Sequence, residues 1–301
     1  MKLYLLLLGI AATSLLPNVA KAELVSALTA NNQLLTFDTA TPGNTVSVAI
    51  TGLTAGDVLT GIDRRPSTGV IYGLGINGTT GRLYNINSAT GAAVVSSTLN
   101  TNAMNTSVTG NFFGVDFNPT VDRLRIVSDT GLNLRANVDT GATIVDGNLN
   151  YAAGDANVGV TPQIVAAAYS NNVATAMTTT LFGLDLATQS LVTQNPPNAG
   201  TLNTVAAFGS IIFPESGFDI SGLTGIAYAV LNGFELAQVD LLTGATTSLG
   251  FINTNSTILD ITSVPEPSSA LLTALAVGTG YCIRRRQKKA SGASVVDSQQ
   301  A

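Results

Sequence analysis

Three aspartates stand in the same short frame: Gly61-Ile62-Asp63, Gly114-Val115-Asp116 and Gly217-Phe218-Asp219. The first two lie 53 residues apart and the last two 103, close to two such steps. Arg64 and Arg65 follow the first directly, and Asn118 lies two places past the second. Carboxylates at a fixed period admit two chemistries. If each Asp closes the innermost strand of a repeated unit, Asp63, Asp116 and Asp219 converge near one mouth of a channel. With Arg64, Arg65 and Asn118 close by, such a ring binds a cation or sugar hydroxyls. If each Asp acts locally, its side chain accepts backbone N–H groups two residues on and caps its own turn. The local reading is the one the sequence favours, because a proline follows the Asp at Pro66 and Pro119.

A second oxygen-rich stretch is Asp146-Gly147-Asn148-Leu149-Asn150, with Asp155 and Asn157 beyond. Oxygen ligands at alternate positions resemble the start of a calcium loop. The EF-hand frame wants glycine at its sixth position and an acid at its twelfth, where Tyr151 and Asn157 stand. Asp146, Asn148 and Asn150 therefore read better as an inter-unit loop of Asx turns than as a metal site. Arg123-Leu124-Arg125 alternates along a strand, which puts both arginines on one face, read as solvated, with Asp122 and Asp129 as partners.

What is missing narrows the chemistry further. The chain of 301 residues has no histidine, and its one cysteine is Cys282. Ser-His-Asp and Cys-His catalysis and histidine-ligated zinc or haem are excluded. No phosphate loop or nucleotide fingerprint is present. Between residues 23 and 263 there are 13 Asp and 3 Glu against 6 Arg and no Lys, a net charge of −10. A surface of that sign repels phosphate backbones, so nucleic acid is not a partner. No cofactor is expected, and no disulfide holds this region, so its stability rests on its core.

The elements that must position these residues are short β-runs broken by Gly, Asn, Asp, Thr and Pro, with no amphipathic helix. A second motif alternates with Gly-x-Asp: an apolar run ending in an Asx residue and a turn, at Asp38, Asn87, Asp139, Asp185 and Asp240. The steps are 49, 52, 46 and 55 residues. Gly43, Gly91, Gly141 and Gly244 follow, with Gln189 in place of the fourth glycine. About five units near 50 residues, each of about four strands, are the signature of propeller blades. The expectation is an all-β, propeller-like ring of about five four-stranded blades, with more blades or a paired sandwich as alternatives. The missing Gly-x-Asp copy falls at Val165-Ala166-Ala167-Ala168-Tyr169. The ring is expected to close by pairing Ile258–Thr262 with Leu24–Thr29 and Gln33–Asp38, which removes two exposed edges.

The two ends carry a different message. Met1-Lys2, the apolar run Leu3 to Leu16, Pro17 and Ala20-Lys21-Ala22 make a secretory signal peptide with cleavage between Ala22 and Glu23. Near the other end, Pro265-Glu266-Pro267 precedes an apolar stretch and the cluster Arg284-Arg285-Arg286. Ser268 to Ile283 is 16 residues, roughly 24 Å as a helix and short for a ~30 Å hydrocarbon core. The basic cluster favours a cytoplasmic C-terminus. These three elements in this order resemble the PEP-CTERM sorting signal of Gram-negative, matrix-forming bacteria. The resemblance implies recognition and processing by a membrane-embedded exosortase after signal peptidase has acted. The tail from Gln287 to Ala301 is longer than the few residues that usually follow the arginines.

Residues 1–22 are thus expected to be a signal peptide and 23–263 the repeat domain. Residues 264–289 follow as the sorting and membrane-anchor segment, and 290–301 as a disordered tail. Gly61 to Pro66, Gly154 to Gly159, Ala166 to Asn171 and Pro196 to Thr204 together make the repeat domain similar to domain of unknown function 4394, a resemblance that implies a domain boundary and no activity. The functional expectation is a non-enzymatic module of the envelope or extracellular matrix, binding extracellular polysaccharide or a surface protein. It would be exported to the periplasm, outer surface or matrix and transiently anchored in the inner membrane. The alternatives are a carbohydrate-active enzyme using paired carboxylates and a calcium-stabilised structural module.

Overall fold

The structure, a computed structural model, describes residues 22–102 and 104–264. Residues 1–21 of the expected signal peptide, the sorting segment from Pro265 onward and the tail lie outside the described residues. The described chain is all β, arranged as a propeller-like ring of five blades. Blade 1 joins β1 (Leu24–Thr29), β2 (Gln33–Asp38) and β3 (Thr41–Ala49) to a last strand described below. Blade 2 contains β4 (Val58–Arg64), β5 (Ile71–Asn77), β6 (Thr80–Ile86) and β7 (Ala93–Thr98). A small hairpin follows, β8 (Asn100–Thr101) and β9 (Met104–Asn105). Blade 3 contains β10 (Phe113–Asn118), β11 (Arg123–Ser128), β12 (Asn133–Ala136) and β13 (Thr143–Val145). Next comes β14 (Asn150–Tyr151), then blade 4 with β15 (Ile164–Tyr169), β16 (Leu181–Asp185), β17 (Ser190–Gln194) and β18 (Thr201–Ala207). Blade 4 is five-stranded because β14 adds in parallel outside β18. Blade 5 contains β19 (Phe218–Ile220), β20 (Ala227–Leu231), β21 (Glu235–Val239) and β22 (Thr246–Phe251).

The chain's final described strand, β23 (Ile258–Val264), returns to blade 1 and becomes its innermost strand, antiparallel to β1 from Leu24↔Val264 to Thr29↔Ile258. The expected strand exchange is present, and the ring is closed by hydrogen bonds between its two ends.

The core is divided among the seams. Five apolar clusters are found, one between each pair of adjacent blades. Leu28 and Leu34 of blade 1 meet Leu59, Ile62 and Tyr84 of blade 2. Tyr72 and Leu74 meet Phe113 and Phe117 across the next seam, and the Tyr72 and Phe117 rings cross edge-on at 5.4 Å. Inner strands face a neighbour on both sides, so they cannot alternate apolar and polar. β15 is buried at all six positions and is built from small residues, Val165-Ala166-Ala167-Ala168, that let the blades approach. Each buried Leu or Ile contributes about 1.5–3 kcal/mol, so the seams carry the stability that no disulfide supplies.

In blades 2, 3 and 5 the glycine of the Asx turn staples the outer part of the seam with the preceding blade. Gly91, Gly141 and Gly244 take φ of 72°, 75° and 69°. A Cβ there would lie 2.1, 2.0 and 2.5 Å from the carbonyl oxygens of Ala49, Thr98 and Ala207 in the preceding blade. The Asx side chains cap these turns as expected at Asp38, Asn87 and Asp240. Three copies differ from the sequence reading: in blade 1, Gly43 lies within β3 and outside the left-handed region. In blade 3 the capping oxygen belongs to Asn137, which accepts from Asp139 and Thr140 N–H, while Asp139 pairs with Arg65. In blade 4, Asp185 caps the turn after the second strand. The true counterpart is Asn195 to Gly200, where Gly200 (φ 71°) has Gly147 O 2.3 Å from its would-be Cβ. The inserted prolines and the 3-10 turn Pro197–Ala199 disguise it.

Candidate functional site

All five inner strands run in the same direction, and Gly-x-Asp marks three of them: it lies within β4 and β10, and in blade 5 its glycine directly precedes β19. In the order of the blades, the residues level with Asp63 are Thr262, Asp63, Asp116, Ala168 and Asp219. Asp63, Asp116 and Asp219 each offer a carboxylate oxygen within 4.8 Å of the others. All three are 1% exposed. Periodicity thus brings together the three aspartates that the sequence singled out, but it sinks them in the axial core below the mouth.

Their partners are not their own turns. Asp63 Oδ2 accepts the backbone N–H of Phe117 in blade 3 at 2.7 Å, and its Oδ1 accepts the Thr262 hydroxyl of blade 1 at 2.9 Å. Asp116 Oδ1 accepts Tyr169 N–H of blade 4 at 3.2 Å. Asp219 Oδ2 accepts Ser263 N–H of blade 1, and its Oδ1 accepts Ile220 N–H at 2.7 Å. Each Asp therefore reaches the residue just past its counterpart in the next blade. This overturns the turn-capping expectation. An inner strand lies against its neighbour with no ladder between them, so its outward N–H groups need acceptors that only a side chain can supply.

A fourth carboxylate completes the device. Asp260, also buried, stands level with the motif glycines and accepts Ile62 N–H at 3.0 Å. The glycines are there for space. A Cβ on Gly114 would lie 2.6 Å from Ala167 N, and one on Gly217 would lie 2.9 Å from Ile261 N. On Gly61 it would meet Val115 at 2.6 Å and the Asp260 carboxylate at 3.1 Å. Sequence reasoning missed Asp260, Thr262 and Ser263. The visible signal was Leu259-Asp260-Ile261-Thr262, a β-run carrying an Asp two places before the Asp63 level.

Electrostatics follow from the burial. Desolvation, and after it the charge of Asp219, pushes the Asp63 carboxyl up to about 8, against the pull of its hydrogen bonds. Burial, then the charges of Asp63 and Asp219, holds Asp116 well above the usual carboxylate range. Burial raises Asp260 well above that range and raises Asp219 as well. Like charges this close cannot all ionise, so the ring holds protons at neutral pH.

The other candidates separate. Arg65 is a strut between blades 2 and 3: it chelates Asp122 at 2.6 and 2.8 Å and Asp139 at 2.8 and 3.0 Å. Its guanidinium also lies 6.0 Å from the Tyr72 ring centroid. Arg64 donates to Gly69 O of its own loop, and burial lowers its guanidinium pKa. Asn118 caps its own turn by accepting Thr120 N–H at 2.9 Å. Arg64, Arg65, Asn172, Ser221, Leu223 and Ser263 line a mouth cavity of about 30 Å³, room for one water-sized group.

Arg125 does not share a solvated face with Arg123. It is 1% exposed and donates to Asp146 (2.6 Å), Asn133 (2.7 Å) and Asn198 (2.9 Å), because blade 4 packs over that face and only Arg123, the first residue of β11, is left exposed. Asp146 also takes Arg135 at 2.6 Å, and Asn150 donates to Asn148 O at 2.8 Å. The carboxylate of the calcium-like stretch, Asp146, is thus held between two arginines. At the N-terminal junction, Ala22 is exposed and Glu23 is buried, its N–H donating to Thr39 Oγ1 at 3.0 Å. Pro265, Glu266, Pro267, Arg284, Arg285 and Arg286 lie outside the described residues.

No curated protein matches the sequence. Among solved structures, the chain is similar to a structural-genomics protein of unknown function from Bacteroides thetaiotaomicron VPI-5482. The match has 17% identity over 80% of this chain, with a TM-score of 0.49, and this chain spans 64% of that protein's length. It is also similar to a chain of a nidogen/laminin complex (10% identity, 81% of this chain, 98% of that one, TM-score 0.47). A protein from Lactobacillus plantarum matches at 16% identity over 80% of this chain and 71% of that one, with a TM-score of 0.41. Likenesses this distant carry no argument about function. The family model for a domain of unknown function (DUF4394) matches residues 33–262, and the chain, with its five apolar seams and axial carboxylates, belongs to that family.

Proposed function

We propose that the protein is an exported, non-enzymatic binding or structural module of a Gram-negative cell envelope or extracellular matrix. In this reading signal peptidase releases it at Ala22-Glu23. An exosortase then recognises Pro265-Glu266-Pro267 and the apolar and arginine elements behind it. The observation that carries the non-enzymatic reading is the commitment of the tight carboxylate cluster to assembly. Asp63, Asp116, Asp219 and Asp260 are buried on the axis and accept backbone N–H groups from neighbouring blades. A glycosidase needs two carboxyls facing one cleft about 5–9.5 Å apart. Of four surface cavities among the described residues, the one lined by Gln238, Asp240 and Thr247 contains a single carboxylate, and the other three contain none. Against the calcium reading stands the pairing of Asp146, its first oxygen ligand, with Arg125 and Arg135.

The ligand in this reading is an extracellular polysaccharide or another surface protein. The test is to incubate the purified full chain with matrix polysaccharide from a host of this type, measuring retention and reducing-end release together. Retention without new reducing ends is expected. Release of reducing ends that disappears in Asp63→Asn would overturn the reading in favour of an enzyme.

A further inference from the structure

Leu24 and Val264 are paired neighbours on β1 and β23, about 5 Å apart in Cα position. The chain therefore enters and leaves the ring at one place, on the rim where all five inner strands end. Loops 65–70, 119–122, 170–180 and 221–226 form that rim. Because β23 is the innermost strand, the exit lies beside the axis and not at the periphery.

Chain length makes this position consequential. Only three residues, Pro265 to Pro267, separate Val264 from Ser268, where the apolar segment begins, and the four Cα-to-Cα steps span at most about 14 Å when fully extended. Three further strands lie outside β23 in its blade at about 4.8 Å each, again roughly 14 Å. A tether this short, fixed near the centre, cannot pass round the outside of the ring to reach a membrane on the far side. The exit rim also carries apolar loop tips, Met177 (91% exposed), Val121 and Leu223, one from each of blades 4, 3 and 5. The opposite rim has exposed apolar residues too, such as Ile211 and Val158, so the tips alone do not choose a side. The tether does.

We infer that, while its C-terminal apolar segment is inserted, the protein sits with its exit rim against the lipid bilayer. The Arg64–Ser263 mouth is then turned to the headgroups, and the opposite rim, with loops 78–79, 146–163 and 208–217, faces outward to meet its ligand. This rests on the anchored, exported reading above.

The test uses the full chain with Cys282→Ser as background and single cysteines bearing an environment-sensitive fluorophore. Met177→Cys and Leu223→Cys report the exit rim; Val158→Cys and Ile211→Cys report the opposite rim. The proteins are reconstituted in phosphatidylethanolamine/phosphatidylglycerol vesicles containing doxyl-labelled lipid. At least twofold greater quenching at positions 177 and 223 is expected, and it should vanish in a chain ending at Val264. Flotation with the vesicles but equal or reversed quenching would overturn the orientation and leave anchoring intact. Failure of the full chain to float would overturn both.

Discussion

Asp63 and Phe117 are 54 residues apart in sequence and 2.7 Å apart across the seam between blades 2 and 3. The Asp63 carboxylate supplies the acceptor that Phe117 N–H would otherwise lack. Asp63→Ala leaves that donor and the Thr262 hydroxyl unmet, at about 1–3 kcal/mol for an unsatisfied buried group. A loss of about 2 kcal/mol by chemical denaturation is expected, with a smaller loss for Asp63→Asn, whose amide oxygen still accepts. An unchanged melting temperature together with abolished ligand binding would return these residues to a binding role.

The axial carboxyls also give stability an unusual pH dependence. In the unfolded chain Asp63 titrates near 3.8, and in the fold at about 8. The fold therefore binds more protons than the unfolded chain between these values, and stability falls as pH rises through that window. The raised Asp116, Asp219 and Asp260 act with the same sign. Asp122, held low by Arg65, acts oppositely, and only in acid. Melting temperatures should fall from pH 5 to pH 9, with a shallower slope in Asp63→Asn. A rise over that interval would refute the protonated ring.

Calcium is expected to do little. Carboxyls that retain protons and accept backbone N–H groups make a poor cage for a hard cation, which wants six to eight charged or carbonyl oxygens. Thermal melts in millimolar calcium and in chelator should coincide. A several-degree increase with calcium would make Asp63, Asp116 and Asp219 a cation site.

The staple glycines can be separated from ordinary turn glycines. Gly69 and Gly141 share nearly the same left-handed φ, 72° and 75°. Nothing lies within 4 Å of a Cβ on Gly69, whereas one on Gly141 would lie 2.0 Å from Thr98 O. Gly69→Ala should cost only the conformational strain, about 1 kcal/mol. Gly141→Ala should cost a further ~1–3 kcal/mol by forcing the seam open. Equal losses in urea titrations would mean that the turn does not hold the seam.

Removal of residues 256–263 takes away the strand that pairs with β1 from Leu24 to Thr29. Loss of the entire near-ultraviolet signal in one transition is expected. A stable, partly folded remainder would mean that the blades fold independently of closure.

The ring was legible because the period survives in side chains with a physical job. Asp38, Asn87 and Asp240 cap turns within two residues, and local geometry of that kind is written locally. The misassigned copies came from favouring acids: Asp139 and Asp185 outshone Asn137 and Asn195, whose amides or turns do the equivalent work. The axial site was half legible. The convergence of Asp63, Asp116 and Asp219 followed from the period, but their acceptor roles depend on partners 44 to 54 residues away. The same holds for Arg125, whose burial depends on Asn198, 73 residues downstream. Nothing near either end of such a pair announces it.

The position of β23 also sets a clock. A chain emerging N-terminus first presents blades 2 to 5 well before the strand that locks blade 1, so the ring has to wait for its final seven residues. Glu23 is tied down by the same assembly: once β1 is seated, its backbone N–H is sealed against Thr39. Closure is thus set from the rear of the ring, by its last strand. A chain stalled before Ile258 emerges would hold an open array with two bare edges, the form that quality-control proteases are best able to remove.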